Sequence, residues 1–241
     1  MAGETTNIAR MAEKLSEELF STFGWKDTGS TNQNWSCQNS SHGSKTHPSD
    51  VVFFYDEPYS DIRTYLNCDL KSYKKGSITS ASVRAAIESL AKAVSCAEVS
   101  EEWQRKYCHK NVTPAICGLL FIYNHDGAYD ADFNTMLKEI APSKLALPRG
   151  SKLIVLGPQD IFWLDNVRHD IVLCRGSNTL PPTEQCQFLY PDLVRRKLII
   201  AKPRTAATVE MLTSPWIMLE SRDKENHRIG LDIYYRDQGN T

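Results

Sequence analysis

Asp69-Leu70-Lys71 is the one acid-x-lysine triplet in a chain of 241 residues. Residues two apart on a β-strand share a face, so the Asp69 carboxylate and the Lys71 ammonium point the same way. A second acid, Asp50, stands in Pro48-Ser49-Asp50-Val51-Val52-Phe53, at the head of an apolar, β-prone run. Pairing the two runs as a hairpin brings Asp50 beside Asp69. Two converging carboxylates make an oxygen-rich site suited to Mg²⁺ or Mn²⁺. A lysine beside them can orient a water nucleophile or neutralise charge on a phosphorane-like transition state. Glu13, Glu17 and Glu18 upstream offer a further carboxylate. On an exposed sheet face the same residues would be no more than a solvated ion-paired set.

Other residues near the triplet suit a nucleic acid. Lys74 and Lys75, with Lys71 and Tyr73, form a small basic-aromatic cluster of the kind that meets a phosphate backbone. His47, three residues before Asp50, is a candidate to touch substrate or product, beside the ordinary reading of a loop histidine as a bystander. Arg195-Arg196-Lys197 and Lys202-Pro203-Arg204 make a second basic region, read as a solvated face.

The elements that must carry these residues follow from periodicity. Ile8, Ala12, Leu15, Leu19 and Phe23 recur at helical spacing over residues 8–23, and Gly24 ends that helix. Residues 25–47 are polar, with a strand near Trp35 and a mobile loop from Gln38 to Lys45. Val51–Tyr55 reads as a strand, Asp56–Asp61 as a turn around Pro58, and Arg63–Tyr73 as a second strand. That strand alternates: Leu66, Cys68 and Leu70 on one face, Asn67, Asp69, Lys71 and Tyr73 on a polar one. A helix opening near Ser77–Ser80 buries Val83, Ile87, Leu90 and Val94. Ala115–Tyr123 is apolar throughout, as a strand covered on both faces would be.

The second half is less patterned. Phe133–Ile140 reads as a helix, Lys152–Leu156 as a buried strand, and Gly157-Pro158 opens a helix holding Ile161, Leu164 and Val167. Residues 176–191 read as loop. Leu198–Ala201 is short and apolar, Thr208–Leu219 is ambiguous, and Gly230–Tyr235 reads as a final strand. One α/β domain results: residues 1–125 as core, and residues 126–241 as a C-terminal extension that packs on or extends its sheet.

Composition excludes several classes. Apolar residues make up 41% and charged residues 24%, an ordinary globular balance. Net charge is −1, so nucleic-acid binding needs its basic residues gathered on one face. No run approaches the ~18 apolar residues of a membrane span, and Met1–Arg10 lacks a signal-peptide core, which predicts a cytoplasmic protein with no membrane contact. The seven cysteines are scattered and odd in number, with Cys68, Cys117 and Cys174 in apolar runs. They read as buried free thiols. No CxxC pair exists, so a structural zinc site is not expected, and Cys108-His109 reads as surface or packing. No P-loop, GxGxxG or GxSxG is present, which disfavours ATP hydrolysis, dinucleotide redox chemistry and serine hydrolysis.

With that order in place, residues 8–123 resemble the PD-(D/E)xK nuclease superfamily, which includes many restriction endonucleases and archaeal Holliday-junction resolvases. Its core runs helix, strand, acid-bearing strand, acid-x-lysine strand, helix, strand. "PSDVVFFY" resembles the acid-bearing strand and "YLNCDLKSY" the acid-x-lysine strand. Mrr-like and resolvase-like members carry a first-helix glutamate eleven residues before a Gly-aromatic pair. "AEKLSEELFSTFGW" places Glu13 at that distance from Gly24-Trp25, ahead of Glu17 and Glu18. Ser49 between Pro48 and Asp50 departs from the pattern, at a proline that is commonly dispensable. The resemblance implies an α/β restriction endonuclease-like core with a mixed central sheet flanked by helices. It implies Mg²⁺ or Mn²⁺ held by Asp50, Asp69 and the Leu70 carbonyl, with Lys71 at the water and Glu13 assisting. The implied substrate is DNA, RNA not excluded. The implied setting is prokaryotic defence or restriction, as a homodimer or with a partner protein of a multi-component system. The alternatives are a repair or recombination nuclease and a non-catalytic binding module on the same fold.

Overall fold

The computed structural model describes residues 2–140, 152–190 and 204–237. The basic run 195–197, Lys202-Pro203 and the apolar stretch 198–201 lie outside those residues. The chain opens with α1, Ala2–Thr22. Strands follow as β1, Lys26–Asp27; β2, Gln33–Ser36; β3, Thr46–Ser49; β4, Val51–Asp56; and β5, Ile62–Tyr73. Helices α2, Ser80–Ala97, and α3, Glu101–Tyr107, then lead to β6, Thr113–Asn124. The remainder is α4, Phe133–Glu139; β7, Leu153–Leu156; α5, Pro158–Gly176; β8, Cys186–Phe188; α6, Val209–Leu212; β9, Trp216–Arg222; and β10, Arg228–Tyr235.

The central sheet has five strands in the order β1-β4-β5-β6-β7. β4 and β5 form the antiparallel hairpin that the sequence predicts, with Val51 opposite Cys68. β5 pairs with β6 in parallel, and the connection through α2 and α3 is the long crossover that parallel pairing requires. α2 is started by Thr79, whose side chain accepts from the Ser82 backbone N–H while Ser82 returns the bond.

Both faces of the sheet are covered. Leu66, Cys68, Leu119 and Phe121 meet Leu19 and Phe20 of α1, Phe23 just after it, and Ile161, Leu164 and Val167 of α5. Tyr65, Val52 and Phe54 meet Ala93 and Ala97 of α2 and Trp103 and Tyr107 of α3 on the other side. The supposed polar face of β5 is therefore a covered one: Asn67 is fully buried, while Asp69 and Lys71, nearer the strand end, are half-buried. Alternation of residue type identified the two faces but not which was wet.

The C-terminal segment joins this core at several points. β7 extends the sheet beside β6, so the sheet continues past residue 125. β7 is only half-buried over most of its length, where its apolar sequence predicted a covered strand. Residues 176–191 include β8, which joins β9 and β10 in a separate three-stranded sheet. Phe188, Ile217 and Leu219 from that sheet enter the α1 core. β10 is its outer strand, and Leu231, Ile233 and Tyr235 are exposed rather than packed.

Gly24 marks the tightest junction. Its φ is +83°, and an added Cβ would lie 2.1 Å from the Thr205 carbonyl oxygen. Trp25 beside it stacks on Phe20 and donates its indole N–H to the Ala207 carbonyl (2.6 Å). Gly24→Ala is expected to cost more than ~2 kcal/mol, combining left-handed strain with a backbone clash. Gly29→Ala, at φ +79° in open space, should cost only the conformational part, about 1 kcal/mol. Denaturant midpoints of the two variants check this, and equal losses would mean the 205–207 segment does not sit against Gly24.

Candidate active site

Asp50 lies in a bend between two strands that belong to different sheets. β3 pairs with β2 in a small hairpin sheet, and β4 pairs with β5 in the central one. The Asp50 N–H donates to the Cys68 carbonyl (3.2 Å), and its own carbonyl accepts from the Asn32 N–H (2.7 Å). Continuing the Val51–Cys68 register by one residue puts Asp50 opposite Asp69, on one face.

The three central side chains converge. The Asp69 carboxylate lies close enough to Asp50 to act on its ionisation directly. Lys71 Nζ is 2.5 Å from Asp69 Oδ1. The Leu70 backbone N–H donates to Asp50 Oδ2 (2.7 Å). A strand residue's N–H and C=O lie on the same side, so the Leu70 carbonyl also faces Asp50, beyond the last β4 pairing.

Electrostatics mark this as a strained anionic pair. Burial, reinforced by the neighbouring Asp69 charge, outweighs the Leu70 hydrogen bond and pushes the Asp50 carboxyl up to about 6. Burial alone would lower Lys71, but the Asp69 and Asp50 carboxylates override it and raise it. Two half-buried carboxylates forced together with an all-oxygen donor set fit a hard divalent cation, which would relieve the repulsion that raises Asp50.

Of the first-helix glutamates, Glu13 is the one bonded toward this cluster. Asn32 Nδ2 donates to Glu13 Oε1 (2.7 Å), and the Asn32 backbone holds Asp50. Glu18 instead pairs with Lys14 and Arg168, and Glu17 is exposed. Asn32 was invisible to motif reasoning. Its signal is an Asn in a Gly-Ser-Thr-Asn turn, and it adopts a left-handed φ of 52°.

The peripheral nucleic-acid residues are placed differently. Lys74 is exposed just beyond β5. Lys75 is paired with Asp130 (2.7 Å), and its N–H is held by Asp126. Tyr73 packs against the apolar layer of α2 and α4, so its ring is not free as a stacking platform. His47 does not face a substrate: it is 3% exposed, and its ring lies against Trp35 and His42. β3 alternates, and the register that buries Ser49 buries His47 as well.

Ser49, which looked like a departure from pattern, is a structural node. Its hydroxyl donates to Asn67 Oδ1 (2.5 Å) and accepts from the indole N–H groups of Trp35 (3.0 Å) and Trp103 (3.3 Å). All four residues are buried. Ser49→Ala strands two buried donors, at about 1–3 kcal/mol for each orphaned group. The expected result is a clearly lowered denaturation midpoint together with reduced site function, because Asp50 is the next residue. An unchanged midpoint would show the node to be dispensable.

A scan against protein-family models matches residues 1–160 to the GAPS4 protein PD-(D/E)XK nuclease domain. The matched segment contains Glu13, Asp50, Asp69 and Lys71 and runs through β7 into α5. The five-stranded mixed sheet between helices agrees with the restriction endonuclease-like fold of such domains. No curated protein matches the chain.

Proposed function

The chain belongs to the family of GAPS4 protein PD-(D/E)XK nuclease domains, and we propose that it is a divalent-metal-dependent endonuclease that hydrolyses phosphodiester bonds in DNA. The observation that carries this reading is the convergence of Asp50, Asp69 and Lys71 at one end of the β4–β5 hairpin. Asp50, Asp69 and the Leu70 carbonyl would hold Mg²⁺ or Mn²⁺. When bound, such a cation supplies Lewis-acid polarisation of the scissile phosphate and a more acidic water. Lys71 exchanges part of its contact with Asp69 for the attacking water and the developing phosphorane charge. Glu13, reached through Asn32, orients water at the rim. Lys74 and Lys75 meet the phosphate backbone outside the site.

No described helix is long and apolar enough to cross a membrane. The setting we infer is a cytoplasmic prokaryotic defence or restriction function, as a homodimer or with a partner protein. That setting rests on the family resemblance, not on the site.

Plasmid DNA incubated with the purified chain and Mg²⁺ or Mn²⁺ tests the proposal. Nicking or linearisation that requires the cation supports it. Linear, circular and branched DNA then separate a defence endonuclease from a repair or recombination nuclease. Labelled RNA of equal length is the control for substrate class: cleavage of RNA alone would reassign the substrate. Folded protein that binds DNA but cleaves nothing with either cation would favour the non-catalytic module.

A further inference from the structure

A second cluster of ligand-type side chains lies on the α2 side of the sheet, built from residues that the nuclease site does not use. Cys37 follows β2, His42 closes the short 3-10 turn Ser40–His42, His47 is on β3, and Cys96 is near the end of α2. One ligand atom from each lies within 4.8 Å of every other. Cys37 Sγ is 3.7 Å from Cys96 Sγ and 3.6 Å from His42 Nδ1. His42 Nδ1 is 3.3 Å from Cys96 Sγ and 3.5 Å from His47 Nε2.

The four separations match edges of a tetrahedron around one ion, and the remaining two, from His47 to the sulfurs, are within 4.8 Å. Zn–S of about 2.3 Å and Zn–N of about 2.0–2.1 Å put tetrahedral ligand atoms roughly 3.3–3.8 Å apart. A disulfide is a poorer description, because its sulfurs would be ~2.05 Å apart. Hydrogen bonding alone is a poorer description too: His42 Nδ1 has either one proton or one in-plane lone pair, yet it faces two sulfurs and a second imidazole nitrogen.

The surroundings are those of a ligand shell. The other ring nitrogen of His42 is held in turn, 3.5 Å from Ser95 Oγ and 3.3 Å from Asn39 Nδ2, so the ring is oriented from outside the cluster. Asn39 also caps the turn that presents His42, accepting from the Ser41 N–H (3.0 Å). His47 is buried, as is Cys96, so the groups are not idle surface chains.

We propose that Cys37, His42, His47 and Cys96 bind one Zn²⁺ ion as a closed, four-ligand structural site. Two thiolates and two neutral imidazoles complete tetrahedral coordination and leave no position for substrate, so the ion ties rather than catalyses. It clamps the β2–β3 hairpin and its loop to α2. The sequence argued against a zinc site because it has no CxxC pair. The fold supplies the fourth ligand from a helix 49 residues beyond His47.

The test is the zinc content of the full-length chain, purified under reducing conditions without chelator. One equivalent of zinc per chain is expected, retained in Asp69→Ala and lost in Cys96→Ser and in His42→Ala. Zinc retained in both cluster variants, or absent from the wild type, would overturn the proposal. Should the cluster variants not fold, the wild-type chain is stripped and titrated with Co²⁺. Thiolate-to-cobalt charge transfer with tetrahedral visible bands is then expected at one equivalent, and their absence is equally decisive. An intact mass two hydrogens low, from a Cys37–Cys96 disulfide in zinc-free protein, would also overturn it. Retention of zinc in Asp69→Ala keeps this result independent of the nuclease reading.

Discussion

Asp69→Ala is expected to lower phosphodiester cleavage by at least about 10³-fold while leaving the fold intact. Asp69 is half-buried toward the end of β5, acts on the Asp50 carboxyl, and holds Lys71 at 2.5 Å. Removing it takes away a cation ligand and the anchor of the lysine together. Lys71→Ala should cost about 10²–10³ by the loss of one transition-state charge contact. The two variants should differ in binding. Asp69→Ala removes a negative charge near the phosphates, so DNA affinity holds or rises. Lys71→Ala removes about one phosphate contact, so the salt dependence of binding becomes shallower by about one counterion. Cleavage and salt-dependent binding measured on the same folded proteins check both. Wild-type cleavage by Asp69→Ala would remove this site from the chemistry, whatever the fold.

The second large effect is a stability gain. The Asp50 carboxyl is pushed up to about 6 by burial and by Asp69, against about 3.9 in an unfolded chain. Between those values the native state binds more protons than the unfolded one. Stability contributed by protonated Asp50 is therefore full below about pH 4 and lost as pH rises through about 6. At pH 8 without added Mg²⁺ the ionised pair costs roughly 1–3 kcal/mol. Asp50→Asn keeps an acceptor for the Leu70 N–H and removes that charge. It should melt several degrees higher than wild type at pH 8, about equal at pH 4, and cleave nothing. Added Mg²⁺ should raise the wild-type melting temperature and leave Asp50→Asn unmoved. Chelator is not the way to prepare the cation-free state, because it would also strip the Cys37–His42–His47–Cys96 cluster. Parallel pH profiles for the two proteins would mean that the carboxylates are not forced together.

Much of this was legible in the sequence because strand chemistry has period two. That period assigned Leu66 and Cys68 to one core, put Asp69 and Lys71 on one face, and brought Asp50 opposite Asp69 once the turn at Pro58 closed the hairpin. Helical spacing over residues 8–23 likewise identified Ala12, Leu19 and Phe23 as buried. What failed needed long-range information. Asn67 looked wet because residue type does not reveal that α2 and α3 roof that face. His47 looked like a substrate contact because its partner Cys96 comes from a distant helix. Tyr73 looked free because the layer it packs on includes Tyr129 and Phe133, more than 50 residues further along the chain. The sheet of β8, β9 and β10 was obscured because two of its strands are separated by more than 25 residues, and its outer strand carries apolar side chains on an exposed row.

The bend at Asp50 joins two sheets. Its N–H is tied to the central sheet through Cys68 and its C=O to the β2 side through Asn32. The hairpin of β2 and β3 therefore cannot peel away without dragging a carboxylate out of the nuclease site. By linkage, whatever binds that carboxylate in the closed form alone lowers the frequency of hairpin opening in proportion to its occupancy. Slowed amide exchange at Asn32 and Trp35 is thus as direct a record of events at Asp50 as anything read at Asp50 itself. A rim element with no reacting atom of its own becomes the reporter of the centre.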